Sequence, residues 1–241
     1  MSHPSDNQRQ AIQFYSTASY PCSYLPNRQA RSMVAAPSHL VDTEAYSRLV
    51  SQGFRRSGAF TYKPYCDHCQ ACVPIRVDVA QFQASRNQRR LLKNLSGLQW
   101  RTLPLHWNEE HYALYQCYQQ QRHPDSSTDN DSASQYVQFL LSSHVDSALM
   151  ECRDADGALK IVAIIDKLED GISAVYTFYD PTDKHSLGTF SILQQITMCR
   201  EQGLPWLYLG YWIEESRKMA YKTRFGPYQL LENGKWAVPS T

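Results

Sequence analysis

Val175-Tyr-Thr-Phe-Tyr-Asp-Pro181, Ser186-Leu-Gly-Thr189 and Trp206-Leu-Tyr-Leu-Gly-Tyr-Trp-Ile213 are pieces of one stretch, and their reading decides the fold. β-Branched and aromatic residues in succession, stopped by Asp180-Pro181, predict a buried strand. Between the second and third pieces, Ile192, Leu193, Ile196 and Cys199 recur at helical spacing, and Gly203 stands where a helix should stop. Trp206 to Ile213 reads as a second strand. Strand, loop, helix and strand in one sheet make a parallel, right-handed crossover, which leaves an open site at the carboxyl end of its first strand.

The loop at that end carries Ser186, Leu187, Gly188 and Thr189, whose backbone amides at a helix start could meet a phosphate or a carbonyl oxygen. An ordinary helix cap with a turn glycine is the plainer alternative. Upstream, Ala148 to Cys152, Lys160 to Lys167 and Ile172 to Tyr179 alternate with turns at Asp154-Ala-Asp-Gly157 and Glu169-Asp-Gly171, so antiparallel strands lead into the crossover. The class predicted is α+β, a mixed sheet with flanking helices. Its element order is that of the acetyltransferase-like (GNAT) acyl-transfer fold.

A chain of 241 residues, 42% of them hydrophobic, can bury a substantial core. No apolar run approaches the ~20 residues of a membrane span, and Met1 to Gln10 is too polar for a signal peptide. The expectation is a soluble cytoplasmic protein with no membrane partner. Seven cysteines without an export signal point to thiols or metal ligands rather than disulfides. The net charge of +1 hides an asymmetry: residues 1–101 hold 13 Lys or Arg against 5 Asp or Glu, the rest 11 against 18. A basic half of this kind suits a polyanion, nucleic acid above all.

Residues 1 to 36 show little periodicity and are expected to drape over the fold. A helix is predicted from Thr43 to Gly53, then a strand from Ala59 to Lys63 and another from Ile75 to Val79, forming a hairpin whose tip carries Cys66, Cys69 and Cys72. Joined by distant Cys22, these thiols could bind zinc or an iron–sulfur cluster; a reduced, tightly packed thiol hairpin is the alternative. Ser85 to Leu95 reads as a helix with Arg86, Arg89, Arg90 and Lys93 on one face and no carboxylate among them. Against a merely solvated face, this pattern favours contact with a nucleic-acid backbone. Two further helices, Glu109 to Arg122 and Ala133 to Ser143, flank a polar loop at Ser126 to Asp131, and a hairpin turning at Asn233-Gly234 closes the chain.

Gly53-Phe-Arg-Arg-Ser-Gly58, the cysteine run ending in Val73-Pro-Ile-Arg-Val77, Val175 to Pro181, Ser186-Leu-Gly188, Leu207 to Ile213 and Lys218-Met-Ala-Tyr-Lys222 occur in an order that resembles the arginyl-tRNA-protein transferase family. The likeness runs from about Cys22 to Trp236 and is greatest to the bacterial, leucine-transferring branch. It implies transfer of leucine from leucyl-tRNA to the α-amino group of proteins that begin with Asp or Glu, marking them for N-end rule degradation. It also implies an N-terminal transferase domain, set here at 1–95, and an acetyltransferase-like domain at 96–241. Eukaryotic members arrange their cysteines differently, so their metal chemistry does not carry over.

Both substrates of such a reaction are already reactive, because the donor is an ester and a free α-amine titrates near ~7.7–8.0. Positioning and oxyanion stabilisation suffice, and no cofactor is required for transfer. Tyr179 or Asp180 could take or relay the proton, although both could equally be strand-end residues. The acceptor's carboxylate needs a cation, for which Arg217, Lys218, Lys222 and Arg224 after the second strand compete with Arg55 and Arg56. Arginine as the donor, a coenzyme-A-dependent acetyltransferase and a metal-stapled RNA-binding module are the rival readings.

Overall fold

A computed structural model of the chain describes residues 11–122 and 132–239; the polar loop predicted at Ser126 to Asp131 and the polar start Met1 to Gln10 lie outside the described residues. The architecture is α+β, built on an eight-stranded mixed sheet. Chain order runs through β1 (Gln13–Ser16), β2 (Tyr20–Pro21), β3 (Gln29–Ala30), β4 (Ser32–Ala36), α1 (Thr43–Ser51), β5 (Arg55–Ser57), β6 (Phe60–Pro64) and β7 (Val73–Asp78). It continues with α2 (Arg86–Asn94), β8 (Gln99–Pro104), α3 (Glu109–Arg122), α4 (Ala133–Tyr136, extended by a π-helical turn Val137–Leu141), β9 (Ser147–Arg153), β10 (Leu159–Lys167) and β11 (Gly171–Tyr179). It ends with α5 (Leu187–Glu201), β12 (Trp206–Trp212), β13 (Tyr228–Glu232) and β14 (Lys235–Ala237).

The large sheet has the order β14-β13-β7-β12-β11-β10-β9-β8. The β11–β12 pair is parallel and α5 connects the two strands, so the expected crossover stands at the centre of the sheet. Alternation along the strands buries both faces. On β10, Ala163 and Ile165 meet Ile192, Leu193 and Ile196 of α5 on one face. Val162 and Ile164 meet Tyr115 of α3 and Tyr136 of α4 on the other. α2 lies beside α5 on the first face, where Leu91 and Leu92 pack against Leu187 and Phe190. Its start is fixed by a capping box between Ser85 and Gln88, a motif that satisfies two otherwise orphaned amides.

Two expectations about the first third of the chain need correction. Residues 13–36 are not draped: β1 and β4 join β6 and β5 in a four-stranded antiparallel sheet, whose Ala35 packs with Tyr46, Leu49 and Tyr208. Nor do β6 and β7 form a hairpin. β6 pairs with β4 and β5, whereas β7 lies between β12 and β13, so the cysteine loop bridges two sheets. β7 therefore precedes residue 95 in sequence but belongs to the large sheet by hydrogen bonding.

Candidate active site

β11 and β12 are paired only through Gly171↔Trp206, Ile172↔Leu207 and Ser173↔Tyr208; beyond that register they part. A bulge helps to part them, for β11 slips against β10 between Ala174 and Tyr176, leaving Val175 as the extra residue. The side chain that occupies the split is Arg55. Its Nη2 donates to the Val175 carbonyl at 3.0 Å. It lies flat against Gly210 of β12, where φ is +74° and an added Cβ would stand 3.5 Å from Nη1.

Tyr179 closes the far end of β11. Its ring meets Tyr118 at 4.9 Å, and the Arg122 guanidinium lies 5.6 Å from its centroid. Gly188 lets the loop approach this ring, because an added Cβ would lie 3.1 Å from Tyr179 Cε1. Burial first, and then Tyr179, raises the phenol pKa of Tyr118; Tyr221, 38% exposed, lies within electrostatic reach of the same Tyr179 ring. Tyr118, Arg122 and Tyr221 were missed in the sequence. An aromatic run on an amphipathic helix reads as core, and a tyrosine inside a basic segment carries no signal of its own.

Asp180, a candidate for the proton, is engaged otherwise. Its carboxylate accepts from Lys160 Nζ at 3.0 Å and from the Thr182 hydroxyl at 2.6 Å. Against the opposing effect of burial, the Thr182 and Lys160 bonds hold its pKa below the usual carboxylate value, which makes it a turn-fixing group and a poor base. Leu187 also departs from expectation: it is buried among Leu95, Ile161 and Phe190 and anchors the loop in the core. Ser186 and Thr189 share a 3.0 Å hydroxyl contact at the start of α5. Gly188 and Thr189 lie in its first turn, whose amides have no intrahelical partner.

The six candidate acceptor cations separate. Arg56, next to Arg55, is sealed: Nε reaches both Asp166 oxygens at 2.8 Å and Nη2 reaches Oδ1 at 2.6 Å, with Gly58, Ser142 and Ser147 taking the remaining donors. It is a structural ion pair with nothing left for a ligand, which corrects its assignment. Arg217, Lys218 and Arg224 are exposed and form no ion pair among the described residues. Lys222, from the single helical turn Ala220–Arg224, is only 5% exposed; its Nζ donates to the Tyr211 carbonyl at 2.5 Å and approaches Met219 Sδ at 3.2 Å. Burial, followed by the nearby Arg55 charge, pulls its pKa down to about 7.

On α2, Arg86, Arg89, Arg90 and Lys93 are all exposed, without a carboxylate partner among the described residues. Gln88 of the same helix donates to the Arg224 carbonyl at 3.1 Å, tying this basic face to the turn that carries Lys222. Cys22, Cys66, Cys69 and Cys72 line one cleft of about 710 Å³. Burial, and then the other three thiols, pushes Cys72 up to about 12. The donors are of the kind that zinc or an iron–sulfur cluster takes, but among the described residues no three ligating groups are gathered closely enough to hold an ion. No helix among the described residues is long and apolar enough to cross a membrane.

A family model described as "Arginine-tRNA-protein transferase, N terminus" matches residues 20–90, and its companion, "Arginine-tRNA-protein transferase, C terminus", matches residues 110–232. Proteins called aspartate/glutamate leucyltransferase are similar over nearly the whole chain. That of Thiobacillus denitrificans is 56% identical over 235 residues, covering 97% of this chain and 98% of its own. That of Chromobacterium violaceum is 53% identical over 237 residues, covering 98% of each. In Nitrosospira multiformis the figure is 55% over 239 residues, covering 99% and 95%. Among solved structures, the L-PGS of Bacillus licheniformis overlaps 66% of this chain and 47% of its own, with a TM-score of 0.46 and 12% identity, too loose a likeness to carry an argument.

Proposed function

The chain belongs to the arginine-tRNA-protein transferase family, and from that premise we propose that it transfers leucine from leucyl-tRNA to the α-amino group of proteins beginning with Asp or Glu. The observation that carries this reading is its likeness, end to end, to leucyltransferases of that acceptor class. The fate of the product would be N-end rule degradation.

In the reaction the acceptor nitrogen attacks the leucyl ester carbon. The amine reacts in its neutral form, having given one proton to solvent; the C–N bond forms, the bond to the ribose oxygen breaks, the nitrogen loses a second proton, and the ribose oxygen takes one up. An ester and a partly neutral amine need alignment more than activation. The split between β11 and β12 supplies unpaired backbone groups along the edge of β11, suited to an oxyanion in a partly dry site. The amides at Gly188 and Thr189 suit the terminal nucleotide. Tyr179 remains the candidate for proton relay. The exposed cations of α2, which packs beside the start of α5, suit the tRNA backbone. A zinc ion or iron–sulfur cluster drawing Cys22, Cys66, Cys69 and Cys72 together would staple the inter-sheet loop to the N-terminal segment, with no part in the transfer.

The test incubates the protein with labelled leucyl-tRNA or arginyl-tRNA and peptides beginning with Asp, Glu, Lys or Arg. The expected result is leucine on the Asp and Glu peptides alone. Arginine transfer with the same acceptors would replace the donor, and turnover of acetyl-coenzyme A would replace the reaction.

A further inference from the structure

Two cations at the split, the buried Lys222 and the half-buried Arg55, lack the carboxylate partner that a cation taken out of water normally has. Neither Arg55 nor Lys222 bonds to an Asp or Glu side chain among the described residues; their partners are the carbonyls of Val175 and Tyr211 and a thioether. A buried ammonium beside a guanidinium, with no counter-ion, is costly and is relieved when an anion arrives. The neighbouring Arg56 shows the ordinary solution in the same strand, a buried carboxylate bonded two ways. The demand at Arg55 and Lys222 is for an anion, and with Lys222 only 5% exposed it must be a small one, a condition that a side-chain carboxylate meets.

The thiol-lined cleft borders this place, with neighbours of Arg55 and Lys222 rather than the two cations themselves in its lining. Tyr211, whose carbonyl receives Lys222, is part of its lining, as are Gly53 and Cys72; Tyr24 and Tyr62 line it and also lie within electrostatic reach of Arg55. Arg28, Arg31 and Lys63 line the cleft with one carboxylate, Glu232; Arg31 is ion-paired with Asp67 at 2.9 Å, which leaves Arg28 and Lys63 as the cations without a carboxylate partner among the described residues. Its charge therefore favours an acidic peptide. The cleft stands on the side of the N-terminal sheet, whereas α2 and its basic face pack beside α5 on the other face of the large sheet. Two substrates can thus approach from different sides and meet at the split.

We propose that Arg55 and Lys222 form the receptor for the side-chain carboxylate of the acceptor's first residue, and that the acceptor enters through the cleft lined by Tyr24, Tyr62 and Cys72. The proposal rests on the aminoacyl-transfer reading above. With the carboxylate seated, an α-amine one or two methylenes away is directed toward the ester in the split.

The test compares Lys222→Met and the cleft variant Lys63→Glu with the unaltered protein, using matched peptides beginning with Glu and Gln. Lys222→Met should raise the acceptor KM for the Glu peptide about 10–100-fold, the loss of one charge-assisted bond, and bring the Glu over Gln preference close to one. KM for leucyl-tRNA should not change. Lys63→Glu should raise acceptor KM severalfold and lower the Glu over Gln ratio far less than Lys222→Met does. A Lys222→Met protein that keeps the preference overturns the receptor; one that raises KM for leucyl-tRNA alone gives these cations to the nucleic acid. If no variant and no donor yields transfer, the underlying reading fails separately. Binding of fluorescent Glu and Gln peptides to the protein without tRNA still decides the receptor: equal affinities overturn it, and tighter Glu binding supports it.

Discussion

Arg55 and Arg56 are consecutive residues of β5, and strand alternation sends them to opposite faces. Arg56 enters a sealed ion pair with Asp166, the two side chains 1% and 0% exposed. Arg55 enters the split between β11 and β12, where it finds a carbonyl, a glycine and the buried ammonium of Lys222. A buried charge whose partner is part of the chain holds the fold together. One left without a partner marks where the fold awaits something from outside. Breaking each in turn should separate stability from substrate choice.

The largest effect belongs to the satisfied member. Arg56→Met leaves the Asp166 carboxylate buried with little more than the Ser147 hydroxyl, and should lower stability by about 3–5 kcal/mol. Urea unfolding would measure it, and transfer per folded molecule should keep its preference for Glu over Gln peptides.

The unsatisfied member should respond with the opposite sign. Lys222→Met removes a buried ammonium without removing its packing, so stability should rise, by about 1–4 kcal/mol, while acceptor discrimination is lost. The pH dependence follows from linkage. With a folded pKa of about 7 against an ordinary 10.5, the folded chain gives up this proton first. The penalty is therefore complete below pH 7 and fades as the pH climbs toward 10.5. The gain from Lys222→Met should be greatest at about pH 6 and distinctly smaller at about pH 9, with unfolding curves at both pH values as the check.

The cations of α2 sharpen the comparison, being unpaired but exposed, so that water solvates them at little cost. Arg86→Ala or Arg90→Ala should change stability by less than about 0.5 kcal/mol. Each should weaken leucyl-tRNA binding evenly and lower the slope of log affinity against log salt by about 1. A salt titration of tRNA binding reads it directly.

How much of this was legible in sequence differs by region for physical reasons. Where local pattern and tertiary environment agree, as in the Val175 to Ile213 crossover, the helix expected over Ser85 to Leu95 or the Asn233-Gly234 hairpin, the structure matches the expectation closely. The N-terminal strands were hidden because β1 is exposed at every position and has no alternation to reveal it. The cysteine loop looked like a hairpin tip because proximity in sequence suggested pairing between strands that belong to different sheets. The different roles of Arg55 and Arg56 were illegible in principle. They depend on Asp166, more than a hundred residues away, and on a split beside the β11 bulge. Lys222 was recognised as a cation near the site, but nothing in its neighbours says that it is buried.

The smallest effect tests whether the carboxylate receptor and the acyl-transfer site are separate regions. Gly188→Ala brings a Cβ to 3.1 Å from Tyr179 Cε1, a contact that asks the ring to move by a few tenths of an ångström. That ring is held between Tyr118 and Arg122, so the shift would be passed to the loop. Alanine's better helix propensity, about 1 kcal/mol, works against the crowding, and net stability should change by less than that. Positioning at the split should suffer more, because small displacements of a reacting group are amplified in rate; kcat should fall by about tenfold or less. If the two regions are separate, Glu and Gln peptides lose rate in the same proportion and acceptor KM is unchanged. A selective loss with the Glu peptide would mean that Tyr179 and its loop also hold the acidic side chain, and the receptor would then have to be extended from Arg55 and Lys222 across the split.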